Sequence, residues 1–327
     1  MKISVVGAIV YDEIITYKGE RRESYGGITY NIAALSSILD RSAVIQPITN
    51  VGEDRWEEVQ KLLASYPSVD QSAVRRAPGK LTNTRLVYTS LTWRDETVLD
   101  MMAPLTPDRM RAAAGSDAVL VNFINGTELD LPTFRALRES APALLHMDVH
   151  SKVARWDAAG KKSLVPFEGW ADWMTLCDVV QMNEFECELV VGRKPKDQAD
   201  FIAAGKEILE AAGGRPMVLI TLGPLGSILI YRKAGRTYAS ANPADPIEKV
   251  VDTTGCGDSF SAGFLVNYLA GREPVAANAA ANIVAGTNCL TAGLGGLEAA
   301  RDALSQIPRV FPDLADKLRV GWPGDEI

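Results

Sequence analysis

The amino-acid sequence predicts an α/β protein in which helices cover both faces of a mostly parallel β-sheet. Short β-branched runs recur along the chain, helical patterns separate many of them, and residues 2–10 (KISVVGAIV) are apolar almost without a break. Such a run is typical of a strand buried on both faces of a parallel sheet. The alternation of strands and helices favours a doubly wound arrangement. We expect a single domain over residues 1–327, because α/β folds often use this much chain as one unit.

The further strands and helices follow from the same two patterns. Buried strands are predicted at residues 118–123, 144–149, 178–181, 217–221 and 227–231. Helices are predicted at residues 31–39, 55–65, 132–140, 197–212 and 259–270. The last helix carries Phe260 and Phe264 on one apolar face, and Gly271 and Pro274 mark its end. The tail from residue 320 onward is expected to be a loose end.

Two segments depart from the alternation of strands and helices. Residues 11–26 and 83–102 alternate polar and apolar side chains, which indicates strands with one wet face. Turn residues predict hairpins near Lys18-Gly19 and at residues 93–96. We expect a small β-sheet that projects from the main body. It would serve as a lid over a site or as the contact of a homodimer, and surface hairpins without a role are the alternative.

The composition indicates an ordinary globular protein and argues against nucleic acid as a partner. The 327 residues include 34 Lys and Arg against 41 Asp and Glu, a formal net charge of −7, and no dense basic run occurs. No stretch approaches the roughly 18 uninterrupted apolar residues of a membrane span, so no membrane partner is expected. If the substrate is a phosphate, a protein this acidic must neutralise that anion locally.

Cysteine and histidine usage limits the compartment and the metal chemistry. Four cysteines occur without any paired spacing, at Cys177, Cys187, Cys256 and Cys289. So few cysteines, without the spacing of a disulfide framework, indicate a protein of the reducing cytoplasm. With only two histidines in the chain, a multi-histidine metal site is excluded.

The most informative stretch is residues 250–265 (VVDTTGCGDSFSAGFL), where a strand end, a turn of small residues and a helix start follow one another. A glycine-rich turn that opens a helix presents free backbone N–H groups to an anion. Asp258 lies at that helix start. It would either cap the helix or act as a general base that takes a proton from an attacking hydroxyl, and the local pattern leaves both roles open.

Two common nucleotide-binding patterns are absent from the sequence. None of the Gly-Lys pairs belongs to a GxxxxGK[ST] loop, and Gly255-Cys256-Gly257 does not continue into GxGxxG. These absences argue against a P-loop NTPase and against a dinucleotide-dependent oxidoreductase.

Five short motifs in order along the chain resemble those of the PfkB (ribokinase) family of carbohydrate kinases. Residues 252–264 (DTTGCGDSFSAGF) resemble its C-terminal signature and residues 25–31 (YGGITYN) its N-terminal one. Gly7 with Asp12, residues 183–186 (NEFE) and residues 221–226 (TLGPLG) resemble its opening GxxxxD, its NxxE motif and its nucleotide loop. The resemblance implies a ribokinase-like three-layer αβα domain with a small β-sheet lid.

The resemblance also implies roles for single residues. Asp258 would be the base, and Gly255, Cys256 and Gly257 would form the anion hole. Asp12, Gly27 and Asn31 would hold sugar hydroxyls, whose vicinal pairs suit carboxylate and amide groups.

The donor side is implied by the same family motifs. Thr221, Gly223 and Gly226 would lie along the nucleotide, and Asn183 and Glu186 would help to hold Mg²⁺, which needs few direct protein ligands. Asp252 would lie near a monovalent cation such as K⁺. Taken alone, NEFE fits a helix N-cap equally well, and TLGPLG fits an ordinary turn.

Residues 148–152 (DVHSK), followed by Trp156, differ from the DxNxR segment of fructokinase-like members. His150 stands at the position of the Asn, and Lys152 at that of the Arg. Lysine is a point charge rather than a bidentate fork, so the exchange argues against carrying over a fructokinase substrate. We expect Lys152 to neutralise the transferring phosphate at the substrate site and His150 to contact substrate, or else both residues to lie at a strand end without a role.

The implied reaction transfers the γ-phosphoryl group of ATP, with Mg²⁺ and as a further candidate K⁺, to a hydroxyl of a small sugar-like substrate. A nucleoside kinase of the same family is the alternative, since lid aromatics such as Tyr11, Tyr17, Tyr88 and Trp93 would stack on a base. A phosphoribosyl-type or aldonate substrate is also open. A sugar-responsive regulatory protein without turnover is the remaining alternative.

Overall fold

The computed structural model describes residues 1–89, 94–141, 143–247, 249–271, 273–291 and 293–327. Its strands in chain order are β1 (Lys2–Val6), β2 (Ile9–Ile15), β3 (Arg21–Gly27), β4 (Val44–Gly52), β5 (Val74–Ala77), β6 (Asn83–Tyr88), β7 (Arg94–Asp100), β8 (Ala118–Asn122), β9 (Leu144–Asp148), β10 (Ala154–Trp156), β11 (Lys162–Leu164), β12 (Val179–Asn183), β13 (Met217–Thr221), β14 (Ser227–Lys233), β15 (Arg236–Asn242) and β16 (Asp325–Glu326). Its α-helices are α1 (Ile28–Ile38), α2 (Trp56–Ala64), α3 (Leu131–Ser140), α4 (Trp170–Met174), α5 (Glu184–Val191), α6 (Gln198–Ala211), α7 (Cys256–Gly271), α8 (Pro274–Asn288), α9 (Ala303–Val310) and α10 (Pro312–Arg319).

A ten-stranded sheet in the order β16-β15-β14-β13-β12-β9-β8-β1-β4-β5 forms the centre of the molecule. All pairings from β13 through to β5 are parallel, and β14, β15 and β16 add on antiparallel. Helices lie on both faces. The cluster of buried apolar residues on one face includes α1, α7 and α8, and the cluster on the other includes α3, α5 and α6. The predicted three-layer αβα architecture is confirmed.

The predicted strand at residues 2–10 is two strands in the structure. β1 ends at Val6, and β2 begins at Ile9 in a second sheet. The break falls at Gly7, where a Cβ atom would lie 2.5 Å from the carbonyl oxygen of Asn122. The chain can leave the main sheet so close to β8 because glycine carries no side chain.

The two hairpin segments form a small mixed sheet in the order β3-β2-β6-β7, which we call the lid sheet. The turn between β2 and β3 contains Gly19, whose N–H donates to Thr16. The predicted turn at residues 93–96 differs: Glu96 lies inside β7, and Trp93 lies outside the described residues. A short hairpin of β10 and β11 adjoins β7 through a bridge between Thr97 and Lys161.

The C-terminal tail is not the predicted loose end. β16 pairs with β15 at the edge of the main sheet, and Tyr231 donates to the Pro323 carbonyl oxygen at 2.7 Å. These backbone and hydroxyl hydrogen bonds fix the tail. Among the described helices, none is both long and apolar enough to cross a bilayer.

Candidate active site

A cleft of about 270 Å³ opens at the carboxyl ends of the parallel strands, beneath the lid sheet. This is the edge at which open α/β sheets bind ligands. Seven of the predicted site residues line it, namely Asp12, Gly27, Asn183, Gly255, Cys256, Gly257 and Asp258. The other predicted residues, Asn31, Lys152, Glu186, Thr221, Gly223, Gly226 and Asp252, are not part of its lining.

Asp258 is fixed by two buried asparagine side chains at the first turn of α7. Asn122 Nδ2 donates to Asp258 Oδ1 at 2.6 Å, and Asn31 Nδ2 donates to the Asp258 carbonyl oxygen at 3.2 Å. Asn122 Nδ2 also donates to Asn31 Oδ1 at 3.0 Å, so the three residues form one network. Burial raises the pKa of Asp258 to about 7, although the hydrogen bonds from Asn122 and Asn31 lower it. A carboxyl with a pKa near neutrality suits general-base chemistry.

The start of α7 has the geometry of an anion site. Ser259 N–H donates to the Gly255 carbonyl oxygen at 2.8 Å, which closes the first helical turn. The N–H groups of Gly257 and Asp258 precede that bond and have no acceptor within the helix. Gly255 has φ +77°, and a Cβ atom there would lie 2.4 Å from the Tyr30 ring. Only glycine fits that turn, which supports the anion hole predicted from the sequence.

The sequence analysis assigned no role to Asp148, which lines the cleft, or to Gln181 and Ser261, which donate to it. Asp148 ends β9, and Gln181 Nε2 and Ser261 Oγ donate to its Oδ2 at 3.1 Å and 3.3 Å. Burial raises the pKa of Asp148, and the carboxylates of Glu186 and Asp258 raise it further. Asp148 and Gln181 share the signal of Asn122, a polar side chain at or next to the end of a strand predicted to be buried, whereas Ser261 lies within α7.

Asn183 and Glu186 form a capping box at the start of α5. The Asn183 side chain accepts from the backbone N–H of Glu186 at 2.9 Å, and Glu186 Oε2 accepts from the backbone N–H of Asn183 at 2.9 Å. The helix-cap role open in the sequence is therefore present. Asn183 also lines the cleft, and burial raises the pKa of Glu186 to about 7. Glu186 also lies close enough to Asp148 for its charge to raise the pKa of that carboxyl.

The predicted nucleotide and cation residues lie beyond the cleft lining. Thr221 ends β13, and Gly223 and Gly226 lie in the turn that follows it. Asp252 Oδ1 accepts from the Thr254 N–H at 2.9 Å. Asp252 and Thr254 line a second cleft of about 270 Å³, which opens towards the turn of the lid sheet.

The lid sheet contributes a group of charged residues that the sequence analysis did not identify. Arg94 Nε donates to Glu96 Oε1 at 2.9 Å, and Lys162 Nζ donates to Glu96 Oε2 at 2.7 Å. Burial would raise the pKa of Glu96, but Lys162 and Arg94 together lower it to about 2. Arg94 and Glu96 line the cleft together with Asp12. Burial raises the pKa of Asp12 to about 7, while Arg94 lowers it and Glu96 raises it.

The structure separates the two residues at which the sequence departs from the fructokinase-like pattern. His150 lines the cleft with φ +38°, and burial lowers its pKa to about 4. Lys152 does not line the cleft. Its ammonium lies 3.9 Å from the centroid of the Trp173 ring and donates to the Gly126 carbonyl oxygen at 3.2 Å. Lys152 is thus held by aromatic faces and a carbonyl rather than presented to a substrate.

Within the described parts of the chain, no group of three or more His, Cys, Asp or Glu residues has the arrangement of a metal centre.

Comparison with known proteins adds independent information. Residues 2–300 match the pfkB family of carbohydrate kinases. A cytidine kinase of Thermococcus kodakarensis is 24% identical over 277 residues, which are 83% of this chain and 90% of that protein. A pyrophosphate-dependent kinase of the ribokinase family superposes with a TM-score of 0.73 at 19% identity, over 93% of this chain and 99% of that one. The ribokinase of Arabidopsis thaliana, solved with ribose and ATP, superposes with a TM-score of 0.72 at 16% identity, over 92% of this chain and 98% of that one.

The structural neighbours share the fold, and the family match covers nearly the whole chain with the sequence motifs in their expected order. The chain belongs to the pfkB family of carbohydrate kinases and is a phosphotransferase that acts on an alcohol group.

Proposed function

We propose that this kinase transfers the γ-phosphoryl group of ATP to a hydroxyl of an uncharged, sugar-like acceptor. The observation that carries the proposal is the carboxyl of Asp258, held by Asn122 at the anion-binding end of α7 inside the cleft. A base placed next to free helix-start N–H groups fits phosphoryl transfer, in which positioning and charge stabilisation supply most of the catalysis.

The proton transfer is assigned to one oxygen of Asp258. Oδ1 accepts from Asn122, which leaves Oδ2 to take the proton of the attacking hydroxyl. The oxygen of the deprotonated acceptor hydroxyl then bonds to the γ-phosphorus. The bond from the γ-phosphorus to the β–γ bridging oxygen breaks, and ADP leaves. Gly255, Cys256 and Gly257 surround the transferring group, and the lid sheet excludes water that would otherwise hydrolyse ATP.

The donor set fits Mg²⁺ bound mainly through water. Asp148, Glu186 and Asp258 are close enough to raise the pKa of Asp148 by mutual repulsion, which a divalent cation would relieve. Asn183 and Glu186 would hold this cation on the donor side, where it would neutralise charge on the phosphates. Thr221, Gly223 and Gly226 would lie along the nucleotide, and Asp252 near K⁺.

The charges of the cleft favour an acceptor without an anionic group. Among the described residues that line the cleft, the one Lys or Arg is Arg94, and it already donates to Glu96 and to the Tyr88 hydroxyl at 2.8 Å. His150 is neutral near pH 7, because its pKa lies at about 4. A sugar acid or sugar phosphate would meet Asp12 and Glu96 without a free cation to offset them. Asp12, Gly27 and Asn31 would hold the hydroxyls of a neutral polyol.

A nucleoside acceptor is the second candidate, because a relative that this chain matches over 90% of its length is a cytidine kinase. Tyr17 and Tyr88 line the second cleft, next to Asp252, and offer ring faces to a base. Tyr11 is less suited to that role: its ring packs edge-on against Tyr25 and lies 4.0 Å from the Arg55 guanidinium. Trp93 lies outside the described residues.

A homodimer through the lid sheet and a cytoplasmic location belong to the same proposal. β3 is an edge strand of the lid sheet with exposed residues at positions 21–23, which leaves backbone groups to pair with a second copy. Sedimentation of wild-type protein and of a variant with proline in β3 would test the dimer.

The decisive experiment measures phosphorylated product for neutral sugars, sugar acids and nucleosides with ATP or pyrophosphate as donor, with Asp258→Asn as the blank. Turnover on a neutral sugar that depends on Asp258 and ATP supports the proposal. Preference for a nucleoside supports the second candidate, and preference for pyrophosphate overturns the donor. Absence of turnover with every acceptor, alongside ATP binding by calorimetry, would favour a regulatory protein.

A further inference from the structure

Two cysteine thiols meet at the edge of the catalytic cleft. The sulfur atoms of Cys256 and Cys289 lie 2.9 Å apart, although the residues are 33 positions apart in the chain. Cys256 is the first residue of α7 and lines the cleft, and Cys289 directly follows α8. Both are free and partly exposed, whereas the other two free cysteines, Cys177 and Cys187, are buried.

The segments that carry these thiols are already held together by other contacts. The Cys289 carbonyl oxygen accepts from the Val251 N–H at 2.8 Å, and Asn288 Nδ2 donates to the Thr254 carbonyl oxygen at 2.8 Å. Asn288 Nδ2 also lies 3.4 Å from Cys256 Sγ. A covalent bond between the two sulfurs would shorten their separation by about 1 Å, without any rearrangement of chain topology.

We propose that Cys256 and Cys289 form an oxidisable dithiol through which hydroperoxides suppress phosphoryl transfer. The hydrogen bond with Cys256 lowers the pKa of Cys289, so the Cys289 thiolate attacks one peroxide oxygen and becomes a sulfenic acid as hydroxide or alkoxide leaves. The Cys256 thiol then bonds to the sulfenic sulfur, and the hydroxyl departs as water with the thiol proton. The peroxide is reduced by two electrons, and the two thiols are oxidised to a disulfide.

The inference rests on the proposed function, because its consequence is expressed at the anion hole. A disulfide would draw Cys256 towards the end of α8, and with it the adjoining Gly255 and Gly257. Misplacing groups that position a reacting phosphoryl by about 1 Å can cost on the order of 100-fold in rate. The disulfide would thus act on turnover more strongly than on the fold. In a reducing compartment such bonds are usually transient and responsive to oxidants.

The test treats reduced protein with hydrogen peroxide and follows mass, linkage and turnover together. We expect the protein to lose the mass of two hydrogen atoms and a non-reduced digest to join the peptides containing Cys256 and Cys289. Turnover should fall at least about ten-fold and return after treatment with a dithiol reductant. Cys289→Ser should keep its turnover in peroxide better than wild type, and Cys187→Ala should lose turnover as wild type does.

The readouts separate this inference from the proposed function. The mass and the linkage need no substrate, so they report on the dithiol even if reduced protein phosphorylates nothing. Failure of the two peptides to join, while free thiols are consumed elsewhere, would overturn the dithiol. A Cys256–Cys289 bond that leaves turnover unchanged would overturn its link to catalysis.

Discussion

The Asn122 side chain lies 2.6 Å from the Asp258 carboxylate, although 136 positions separate the two residues in the chain. Asn122 ends β8, and Asp258 lies in the first turn of α7, so the contact joins the edge of the parallel sheet to the helix that carries the proposed base. A hydrogen bond donated to a carboxylate favours its charged form. Asn122 therefore opposes the effect of burial and helps to keep Asp258 able to accept a proton near neutral pH.

Substitution of Asn122 by Leu should shift the pH dependence of the enzyme. Loss of the donated hydrogen bond raises the pKa of Asp258 above its present value of about 7, so the acid limb of kcat/KM moves to higher pH. Turnover at pH 7 should fall and partly recover at higher pH, with little change in ATP affinity by calorimetry. Asn267→Leu removes a buried asparagine of α7 that donates to the Gly263 carbonyl oxygen, and it should leave the acid limb in place. A fall in kcat/KM without a shift of the limb would contradict a role in positioning the base.

Replacement of Asp258 by Asn should lower turnover by about 10²–10⁴-fold, the usual contribution of a general base. ATP binding should change little, because the N–H groups at the start of α7 remain. Asp252→Asn is the matched control in the preceding loop and should keep much more of the turnover at saturating K⁺. Turnover of the Asp258→Asn protein at the wild-type rate would remove Asp258 from the mechanism.

Glu186→Gln should separate the helix-capping role of this residue from cation binding. Glutamine can complete a capping box, so the melting temperature should stay close to that of wild type. The lost charge should raise the Mg²⁺ concentration for half-maximal rate by about 10–100-fold. The measurement is a Mg²⁺ titration of initial rates. An unchanged titration would assign Glu186 to the cap alone.

Glu96→Gln should change the preference of the cleft for acceptor charge. Arg94 and Lys162 both donate to the Glu96 carboxylate, so its neutralisation leaves two cations partly unpaired. The ratio of kcat/KM for an aldonate to that for the matching neutral sugar should rise. Because breaking a buried charge group can cost about 3–5 kcal/mol of stability, thermal unfolding is measured alongside. A folded variant with an unchanged ratio would contradict the charge argument.

Glu128→Gln should make stability less sensitive to pH without touching the catalytic groups. Burial raises the pKa of Glu128 to about 7, so its folded form binds a proton that the unfolded chain releases at lower pH. In wild type this bound proton therefore stabilises the folded state fully at pH values below the pKa of Glu128 in the unfolded chain. That stabilisation is lost as pH rises through about 7. The melting temperature of the variant relative to wild type should rise between pH 5 and pH 8, by several degrees. Glu57→Gln on exposed α2 is the surface control, and a flat difference for Glu128→Gln would contradict the assignment.

The fold was largely predictable because its main signals are local. The β-branched runs located β8, β9 and β13 to within one or two residues, and the glycine-rich turn located the start of α7. The prediction of a single long strand at residues 2–10 was wrong. The apolar run continues across Gly7, but the chain passes there from one sheet to another. The prediction of a loose C-terminal tail was also wrong, because the tail pairs with β15, a strand more than 80 positions earlier in the chain.

The candidate site was predictable only where its residues lie in short motifs. Asp258, Asp12 and Asn183 reach the cleft from separate motifs and stand together as expected. Asn122, Arg94 and Cys289 were not found, because each acts through a partner brought near only by tertiary folding.

The surroundings of Lys152 also depend on residues that are distant in the sequence. The motif predicts a cation near the substrate, but Trp173 and Phe167 approach from later in the chain and bind its ammonium through their ring faces. The residues next to Lys152 in the sequence do not indicate that these rings will lie against it.

The separation of β1 and β2 at Gly7 has a mechanical consequence for the lid sheet. The chain enters that sheet after Gly7 and Ala8 and leaves it at Gly27, which passes straight into α1. The two crossings touch, because the Ile28 N–H donates to the Ala8 carbonyl oxygen at 3.0 Å. They form one narrow attachment of the lid sheet at the end of the cleft lined by Gly27, and the chain makes a second attachment where β6 begins at Asn83 and β7 ends at Asp100. Two separate attachments restrain rotation of the lid sheet about either one, so the cleft walls keep a fixed spacing near Gly27.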